Sequence, residues 1–208
     1  MIENSKKPRL RLKGFTETWE QCRLGELIVK GGSGGTPLTS NTSYYQGNIP
    51  FLSITDITNS EGYIYDTEKH ITNEALENSS AWIVPKESIS LAMYASVGKV
   101  AILKQNIATS QAFYNLVIPN IKLRNYIYQY LRKMEILSEW DKLVSTGTQA
   151  NLNAKKVKNI LINLPSLEKE IEQIGNILIS IDNLITLHQR QLEKLKNIKT
   201  ALLEKMFV

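Results

Sequence analysis

The chain has 208 residues, of which 42% are hydrophobic and 22% charged, with a formal net charge of +5. This ordinary globular balance excludes a fibrous or wholly disordered protein. No apolar stretch approaches the ~18 to 20 uninterrupted residues that span a bilayer, and the first residues lack the apolar core of a signal peptide. We therefore expect a cytoplasmic protein without membrane contact. The single cysteine, Cys22, excludes an internal disulfide.

The positive charge is concentrated in one part of the chain. Residues 165–208 contain six basic and six acidic side chains, so the whole excess lies in residues 1–164. A basic body favours a polyanionic partner, because each neutralised phosphate releases counterions. A pI near 9 is also common among proteins that bind no nucleic acid, so charge alone does not decide the partner.

The first quarter of the chain is predicted to form an arm, a loop and a strand. Residues 9–28 carry spaced apolar side chains, which indicates a short arm leading into a brief helix or turn. Residues 31–37 contain four glycines followed by Thr36 and Pro37, and this composition predicts a loop whose backbone can approach a partner closely. Residues 44–54 then follow a strand-like pattern with turn signals.

The middle of the chain is predicted to be mostly β. Segments rich in β-branched or aromatic residues predict strands at 62–65, 88–94, 99–103 and 112–118. Residues 123–143 change to the three- or four-residue apolar spacing of a helix face. A polar loop is predicted at 145–153 and a last strand at 157–164. The fold class is therefore α+β, with a mostly β domain over residues 1–164 and a long helix within 165–208.

A single helix is predicted from Ser166 to Met206, with Ser166 as its N-cap. Its apolar residues recur in steps of three and four, the spacing of a coiled-coil seam. His188 interrupts this spacing, and we interpret it as a polar residue that sets the register. The predicted dimerisation residues are Ile171, Ile174, Leu178, Ile181, Ile185, His188, Leu192, Leu195 and Leu202.

A helix of this length is expected to need a partner. About 40 residues at ~1.5 Å per residue make a rod of ~60 Å, whose stripe would expose about 600 Å² of apolar surface. Each buried Leu or Ile of the seam contributes about 1.5 to 3 kcal/mol, which together outweigh the cost of ordering a dimer. The alternative is that the rod folds back on the predicted helix at 123–143 of its own chain.

Known catalytic signatures are missing from the sequence. The segment 31–37 lacks the lysine and hydroxyl residue of a phosphate-binding P-loop. Residues 48–51 differ from an amino-methyltransferase Asn-Pro-Pro-Phe motif, because Ile49 replaces the first proline. Only two histidines, His70 and His188, are present, which disfavours a histidine triad or metal centre. We therefore predict a protein that is not an enzyme and that needs no metal and no cofactor.

Three polar segments are candidate DNA-contacting surfaces. No lysine or arginine lies between Gly31 and Glu68, whereas hydroxyl and amide side chains crowd into residues 33–48. Such groups bond to phosphate oxygens and base edges, although a solvated loop explains each of them equally well. The other segments lie within residues 96–111 and 145–158. The candidate contact residues are Ser33, Thr36, Thr39, Ser43, Tyr44, Tyr45, Ser96, Lys99, Lys104, Gln111, Thr146, Thr148, Gln149 and Lys155.

Three segments together resemble the specificity subunit of type I restriction-modification systems. They are LRLKGFTETWEQCRLGEL from Leu10, GGTPLTSNTSYYQGNIPFLSITDI from Gly34, and the helical region from Leu164 to Phe207. They follow the order of that family and cover nearly the whole chain. The usual subunit of the family has two target-recognition domains and two conserved helices, whereas this chain has one of each.

The resemblance implies a subunit that reads double-stranded DNA and docks methyltransferase and restriction subunits without catalysing a reaction. In the family the two helices run antiparallel as a spacer between two recognition domains. Our hypothesis is that two copies of this half, or this half and a different one, pair through residues 171–206. A coiled-coil adaptor without DNA readout is the alternative from another class of protein.

Overall fold

The computed structural model describes residues 8–143 and 152–207, in which eleven strands and five α-helices confirm the α+β fold class. The strands are β1 (Trp19–Arg23), β2 (Lys30–Ser33), β3 (Ile49–Leu52), β4 (Tyr63–Ile64), β5 (Lys69–Ile71), β6 (Ile83–Val84), β7 (Ile89–Ala92), β8 (Val100–Leu103), β9 (Ile107–Thr109), β10 (Phe113–Val117) and β11 (Leu161–Pro165). The helices are α1 (Ile54–Asn59), α2 (Asn73–Glu77), α3 (Ile121–Ile136), α4 (Ala154–Lys158) and α5 (Glu168–Met206), with short 3-10 helices at Leu24–Glu26, Thr42–Tyr45 and Glu139–Lys142.

The strands form three sheets. The largest has the order β2-β10-β7-β8-β4, in which only β4 and β8 run parallel. The second has the order β5-β3-β9-β6, and β1 pairs with β11 as a separate antiparallel ribbon. Helix α3 contributes Ile127 and Leu131 to the main core, where they pack with buried residues of β7 and β8 such as Ile89 and Ile102. The ribbon and α3 therefore connect the two larger sheets to the start of α5.

The first part of the predicted glycine-rich loop is a strand. Residues Lys30–Ser33 pair antiparallel with β10. A Cβ at Gly31 would lie 2.5 Å from the Tyr114 hydroxyl, so glycine here permits the close approach of β2 to the core. The prediction of a loop over 31–37 is wrong for its first three residues, because close packing against Tyr114, and not a turn, requires the glycine at position 31.

The predicted last strand also needs correction. Residues Ala154–Lys158 form helix α4, and the side chain of Asn153 caps it by accepting a hydrogen bond of 2.9 Å from the Lys156 amide. The strand begins only at Leu161. Val157 is apolar because it is buried in the main core, and this burial gives the same sequence signal as a strand position.

Helix α3 is shorter than its apolar pattern. It begins after Asn120, whose side-chain oxygen accepts hydrogen bonds from the next turn, and ends at Ile136. Ser138 then adopts a positive φ of 52°, which breaks the helix before the 3-10 turn Glu139–Lys142. That turn buries Trp140 in the main core, so the apolar spacing continues past the end of the α-helix.

The long helix begins at Glu168, two residues later than predicted. Ser166 is not its N-cap, because Leu167 holds that position and the Ser166 hydroxyl donates to the Thr18 carbonyl. The first turns pack on α3: Ile171 is buried, and a Cβ at Gly175 would lie 3.1 Å from atoms of Asn125. The alternative that the rod packs on its own chain is therefore correct for the first turns of α5.

An ion pair fixes the N-terminal arm to α5. The Arg11 guanidinium donates two hydrogen bonds of 2.8 Å to the Glu170 carboxylate, and the Trp19 indole donates a third at 3.4 Å. The Glu170 side chain is fully buried. These bonds raise the pKa of Arg11, chiefly through the hydrogen bonding to Glu170.

We expect Arg11→Leu to lower the unfolding temperature by about 3 to 6 °C, because a buried carboxylate then loses its charged partner. The N-terminal arm can open and admit water to Glu170, which limits the fall in unfolding temperature. Replacing Glu170 by leucine in the same chain should restore most of the lost unfolding temperature, since two apolar side chains leave no buried charge without a partner. Thermal unfolding of the single and double variants measures this, and a single variant as stable as the parent would contradict it.

Candidate nucleic-acid interface

One edge of the five-stranded sheet collects several polar segments. Ser33 at the end of β2 is opposite Tyr114, and Ala92 at the end of β7 is opposite Phe113 at the start of β10. Strand β8 begins beside the end of β7, because Val100 is opposite Leu91. We call residues 33–36, 93–99 and 110–112 the recognition edge. At ~4.8 Å between strands, this edge is about 14 Å wide from β2 to β8.

Two candidate contact residues meet on this edge. The Thr36 hydroxyl donates to the Gln111 side-chain carbonyl at 2.7 Å, and both side chains are exposed. The bond holds Gln111 in one orientation and leaves its NH₂ group for a ligand. A glutamine amide can pair with the donor and acceptor that adenine presents in the major groove. This pair is the best-defined polar group on the recognition edge.

A buried polar network supports the edge from below. Asn115 is fully buried, and its amide donates to the Thr109 hydroxyl at 2.8 Å and to the Gly32 carbonyl at 3.1 Å. Its own carbonyl oxygen accepts from Ser90 at 2.9 Å. The network joins β2, β7, β9 and β10, and a fully satisfied buried network of this kind fixes backbone positions. The exposed residues above it are therefore held on a rigid base.

The two candidate tyrosines hold the loop that follows β2. Tyr45 packs edge to face on Phe51, with ring centroids 6.4 Å apart, and its hydroxyl donates to the Pro37 carbonyl at 2.8 Å. Burial raises the pKa of Tyr45. Tyr44 is also half-buried against the same small core. Both residues therefore position the loop.

Thr39 and Ser43 are the exposed candidates on this loop. The Asn41 side chain accepts hydrogen bonds from the Ser43 amide at 3.2 Å and from its hydroxyl at 2.6 Å. Asn41 thus caps the 3-10 helix Thr42–Tyr45 and fixes the orientation of Ser43. Whether these side chains contact DNA stays a prediction.

The turn between β7 and β8 carries Ser96 and Lys99. Ser96 has a positive φ of 53°, and its hydroxyl lies 3.0 Å from that of Thr58. The Lys99 ammonium lies 4.0 Å from the Glu135 carboxylate, which partly offsets its charge. Tyr94 on the same turn is 46% exposed, and the sequence reasoning did not select it.

Lys104 lies away from the recognition edge. It follows the opposite end of β8, where it pairs with Glu87 at 2.6 Å, and Arg124 pairs with the same carboxylate at 2.7 Å. Burial raises the pKa of Glu87, but the Lys104 hydrogen bond and the Arg124 charge outweigh it and hold that pKa below its ordinary value. Lys104 therefore belongs to an ion-pair cluster that the structure separates from Ser96 and Lys99.

The last candidate segment is only partly described. Lys155 is exposed on α4, whereas Thr146, Thr148 and Gln149 lie outside the described residues. Leu152 donates a backbone hydrogen bond of 2.9 Å to Met93, so the described chain resumes next to the recognition edge.

Two residues at the edge were missed by the sequence reasoning. The Trp82 indole donates to the Ser33 carbonyl at 3.2 Å, and the Lys30 ammonium lies 3.9 Å from the Trp82 ring centroid. They bring a cation and an aromatic ring beside the hydroxyl-rich segment. The one sequence signal was an isolated tryptophan after a polar turn at 78–80, and only the fold shows that it meets β2.

The part of α5 from Ile177 to Met206 carries a continuous apolar stripe. At 100° per residue the side chains of this stripe point away from residues 8–165, which we call the recognition body. Asp182 points toward that body and accepts a 2.6 Å hydrogen bond from Gln129. Exposed members of the predicted seam are Leu178, Ile181, Ile185, His188, Leu192, Leu195 and Leu202, and Ile177, Leu184, Leu203 and Met206 widen the stripe. Ile171 and Ile174 instead pack in the body's core.

The described residues provide no evidence for a metal site or a membrane helix. Among residues 8–143 and 152–207, no group of three or more histidine, cysteine or acidic side chains is arranged to hold a metal ion. No helix in that part of the chain is long and apolar enough to cross a bilayer.

A polar sheet edge is thus joined to a long helix with an exposed apolar stripe. The chain belongs to the type I restriction modification DNA specificity domain family, whose model matches residues 16–197. It is 36% identical over 194 residues to the MjaIX type I restriction enzyme specificity subunit of Methanocaldococcus jannaschii, covering 91% of this chain and 44% of that protein.

Solved structures show the same fold at low identity. The S subunit of the type I restriction-modification system from M. genitalium superposes with a TM-score of 0.66 at 16% identity, over 97% of this chain and 49% of that chain. The HsdS subunit from Thermoanaerobacter tengcongensis gives a TM-score of 0.61 at 20% identity, over 97% and 47%. The chain thus spans about half the length of these proteins.

Proposed function

We propose that this chain reads one half of a bipartite double-stranded DNA target and leaves the chemistry to partner subunits. The observation that carries the proposal is the pairing of one recognition edge with one assembly helix in a member of the specificity family. The helix holds the body at a fixed distance from whatever its apolar stripe binds. A methyltransferase subunit and a restriction subunit are the proposed protein partners.

The proposal assigns the apolar stripe of α5 to a second copy of the chain. Ile181 and Ile185 are 47% and 50% exposed although both are large and apolar. From Ile177 to Met206 the stripe covers about 450 Å², the size of the largest apolar patch on a typical monomer, and such patches are often functional. Two copies related by a two-fold axis present two identical recognition edges, so the complete DNA target should be an interrupted palindrome.

The symmetry is tested by expressing this chain with a methyltransferase subunit as the sole specificity component and sequencing the methylated genome. The expected motif is two inverted copies of one half-site separated by a fixed spacer. An asymmetric motif would reject the pairing of identical halves. The chain alone, incubated with DNA, methyl donor and Mg²⁺, should neither methylate nor cleave, and turnover there would show that it is an enzyme.

Base reading is assigned to the Thr36–Gln111 pair. We expect Gln111→Ala to weaken binding of the assembled methyltransferase complex to its own target by about 10- to 100-fold, because one bidentate base contact is worth about 1 to 3 kcal/mol. Binding to unrelated DNA should change less than twofold. Fluorescence anisotropy at several salt concentrations measures both, and the slope against salt should stay the same because no phosphate contact is lost.

Lys86→Ala provides the matched control for this measurement. Lys86 is exposed and lies before β7, at the end of the strand opposite the recognition edge. The Lys86→Ala variant should keep the parent's preference for its target over unrelated DNA. Equal losses on target and unrelated DNA for Gln111→Ala would show that Gln111 does not read a base.

A further inference from the structure

An exposed tyrosine lies next to Gln111 on the recognition edge. Strand β7 pairs with β10, and a 2.8 Å hydrogen bond from the Met93 amide to the Ala112 carbonyl continues their register by one residue. Tyr94 and Gln111 are the next residues along the two chains, and both are exposed. Residues opposite each other in an antiparallel pair lie about 4.5 to 5.5 Å apart. Tyr94 is therefore the neighbour of the glutamine to which we assign base reading.

Core packing does not account for an aromatic side chain at this position. Tyr94 is 46% exposed, and within the part of the chain that the structure describes its ring belongs to none of the three apolar clusters. Met93, directly before it, is buried in the main core. The backbone at Tyr94 is thus anchored, whereas the ring is left at the surface, where it is available to a ligand.

The turn that carries Tyr94 is fixed from below. Ser96 and Gly98 have positive φ angles of 53° and 89°, and the Gly98 amide donates to the Ala92 carbonyl at 3.0 Å. A Cβ at Gly98 would overlap the ring of Trp140, which is buried in the main core. The turn therefore rests directly on the core. A tyrosine on such a base loses little conformational entropy on contact, because it has only two side-chain torsions.

We propose that the Tyr94 ring contacts the 5-methyl group of a thymine next to the adenine that Gln111 reads. The inference rests on the proposed DNA reading at the recognition edge, and it adds a second specificity-determining residue and the base that this residue recognises. In the major groove thymine alone presents a methyl group, and apolar side chains recognise it by direct contact. The ring supplies apolar surface that the Gln111 amide lacks.

The spacing of the two side chains fits neighbouring bases. On the floor of the major groove an A·T pair presents the adenine N7 and N6 groups beside the thymine O4 and methyl group. The next base pair lies about 3.4 Å further along the strand. Tyr94 and Gln111 are separated by about 4.5 to 5.5 Å at the backbone, so they reach an adenine and a thymine within one base-pair step of each other.

The order of the strands favours a base contact over a phosphate contact through the tyrosine hydroxyl. The recognition edge runs β2-β10-β7-β8, and Gln111 and Tyr94 belong to the two central strands. An edge about 14 Å wide, centred on a major groove about 12 Å wide, places its outer strands over the phosphate walls and its central strands over the floor. Lys99, at the start of β8, is on the phosphate side of this arrangement.

The test removes one methyl group of the DNA at a time. Target duplexes, whose sequence the methylated genome supplies, carry uracil in place of each thymine of one half-site in turn, and fluorescence anisotropy measures binding of the assembled methyltransferase complex. At one position uracil should weaken binding of the parent by about three- to tenfold, the effect of one buried methyl group. Tyr94→Ala should bind the thymine and uracil duplexes equally at that position.

A second modified base locates the adenine. 7-Deaza-adenine lacks the N7 acceptor, so at the adenine that Gln111 reads it should weaken the parent complex but not the Gln111→Ala complex. The uracil-sensitive thymine should lie within one base pair of that adenine, and a sensitive thymine further away would overturn the proposal. Each ratio compares two duplexes on one protein, so a general loss of stability in a variant does not change it.

Tyr94→Phe separates the ring from the hydroxyl. It should bind the target within about twofold of the parent and keep the sensitivity to uracil, because the ring makes the contact. Tyr65→Ala is the matched control. Tyr65 is 70% exposed and follows β4 at the end of β8 opposite the recognition edge, so this variant should also keep the sensitivity. A loss of binding by Tyr94→Phe as large as that of Tyr94→Ala, or full uracil sensitivity in Tyr94→Ala, would overturn the proposal.

The outcomes separate this inference from the proposed function. If the parent complex prefers its target and Gln111→Ala loses that preference, but no thymine is sensitive to uracil, only the role of Tyr94 is wrong. If the parent complex binds its target and unrelated DNA equally, base reading by the recognition edge is rejected as a whole.

Discussion

Replacing Ile181 and Ile185 together by glutamate should convert the protein from a dimer to a monomer and abolish specific DNA binding. Both side chains lie within the exposed stripe, and two copies would bury four of them. Each buried Leu or Ile contributes about 1.5 to 3 kcal/mol, so the variant loses at least about 6 kcal/mol of association free energy. That corresponds to a dissociation constant more than about 10⁴-fold higher.

Specific binding is lost because a single half-site contact cannot replace two linked ones. Linked sites act at a high effective concentration, and this gain disappears when the linkage is broken. The recognition body should remain folded, since neither isoleucine belongs to its core. Sedimentation gives the mass, anisotropy gives DNA binding, and calorimetry gives the unfolding temperature.

The control variant adds two glutamates to exposed positions of the same helix outside the stripe, Ser180→Glu with Asn197→Glu. It has the same charge change, and glutamate is a good helix former at all four positions. The control should therefore remain a dimer that binds its target. A dimer that survives the Ile181 and Ile185 changes would show that the stripe serves another partner.

Periodicity predicted the long helix and most of its exposed seam, but it did not predict which partner each part has. Ile171 and Ile174 continue the same spacing as Ile181, yet they pack against the chain's own core. A spacing of three and four identifies the apolar face of a helix, and the partner depends on the fold. Ile177 and Leu184 were missed because the seam was traced as one line, whereas the exposed surface is wider.

The recognition edge was only partly predicted, because the polarity of a segment does not show which other segment it contacts. The polarity of residues 33–48 identified Thr36, and a separate polar segment identified Gln111, but their contact joins positions 75 residues apart. Lys104 was grouped with Ser96 because the two are close in sequence. Strand β8 carries them to opposite ends, since an extended strand advances ~3.3 Å per residue. The contact between Trp82 and β2 could not be predicted from the sequence, because it depends on where β2 lies in the fold.

Gly34 is expected to be the residue of the recognition edge that is most sensitive to substitution. A Cβ at Gly34 would lie 1.7 Å from the carbonyl oxygen of Thr109, which is fully buried backbone and cannot move aside. Gly34→Ala must therefore push the segment after β2 away from β9 and weaken the 3.1 Å bond from the Gly35 amide to the Thr109 carbonyl. Overpacking of this kind costs about 3 kcal/mol or more.

The matched control is Gly32→Ala, two residues earlier and within β2, where the nearest atom to a new Cβ is 4.0 Å away. We expect Gly34→Ala to lower the unfolding temperature by about 6 to 12 °C and to reduce target binding, because Thr36 follows directly on the displaced segment. Gly32→Ala should change the temperature by less than about 2 °C, since it meets no clash. Calorimetry on both variants measures the difference. Equal stability of the two would mean that β2 does not approach Thr109 closely, and the rigid base assigned to the recognition edge would then be wrong.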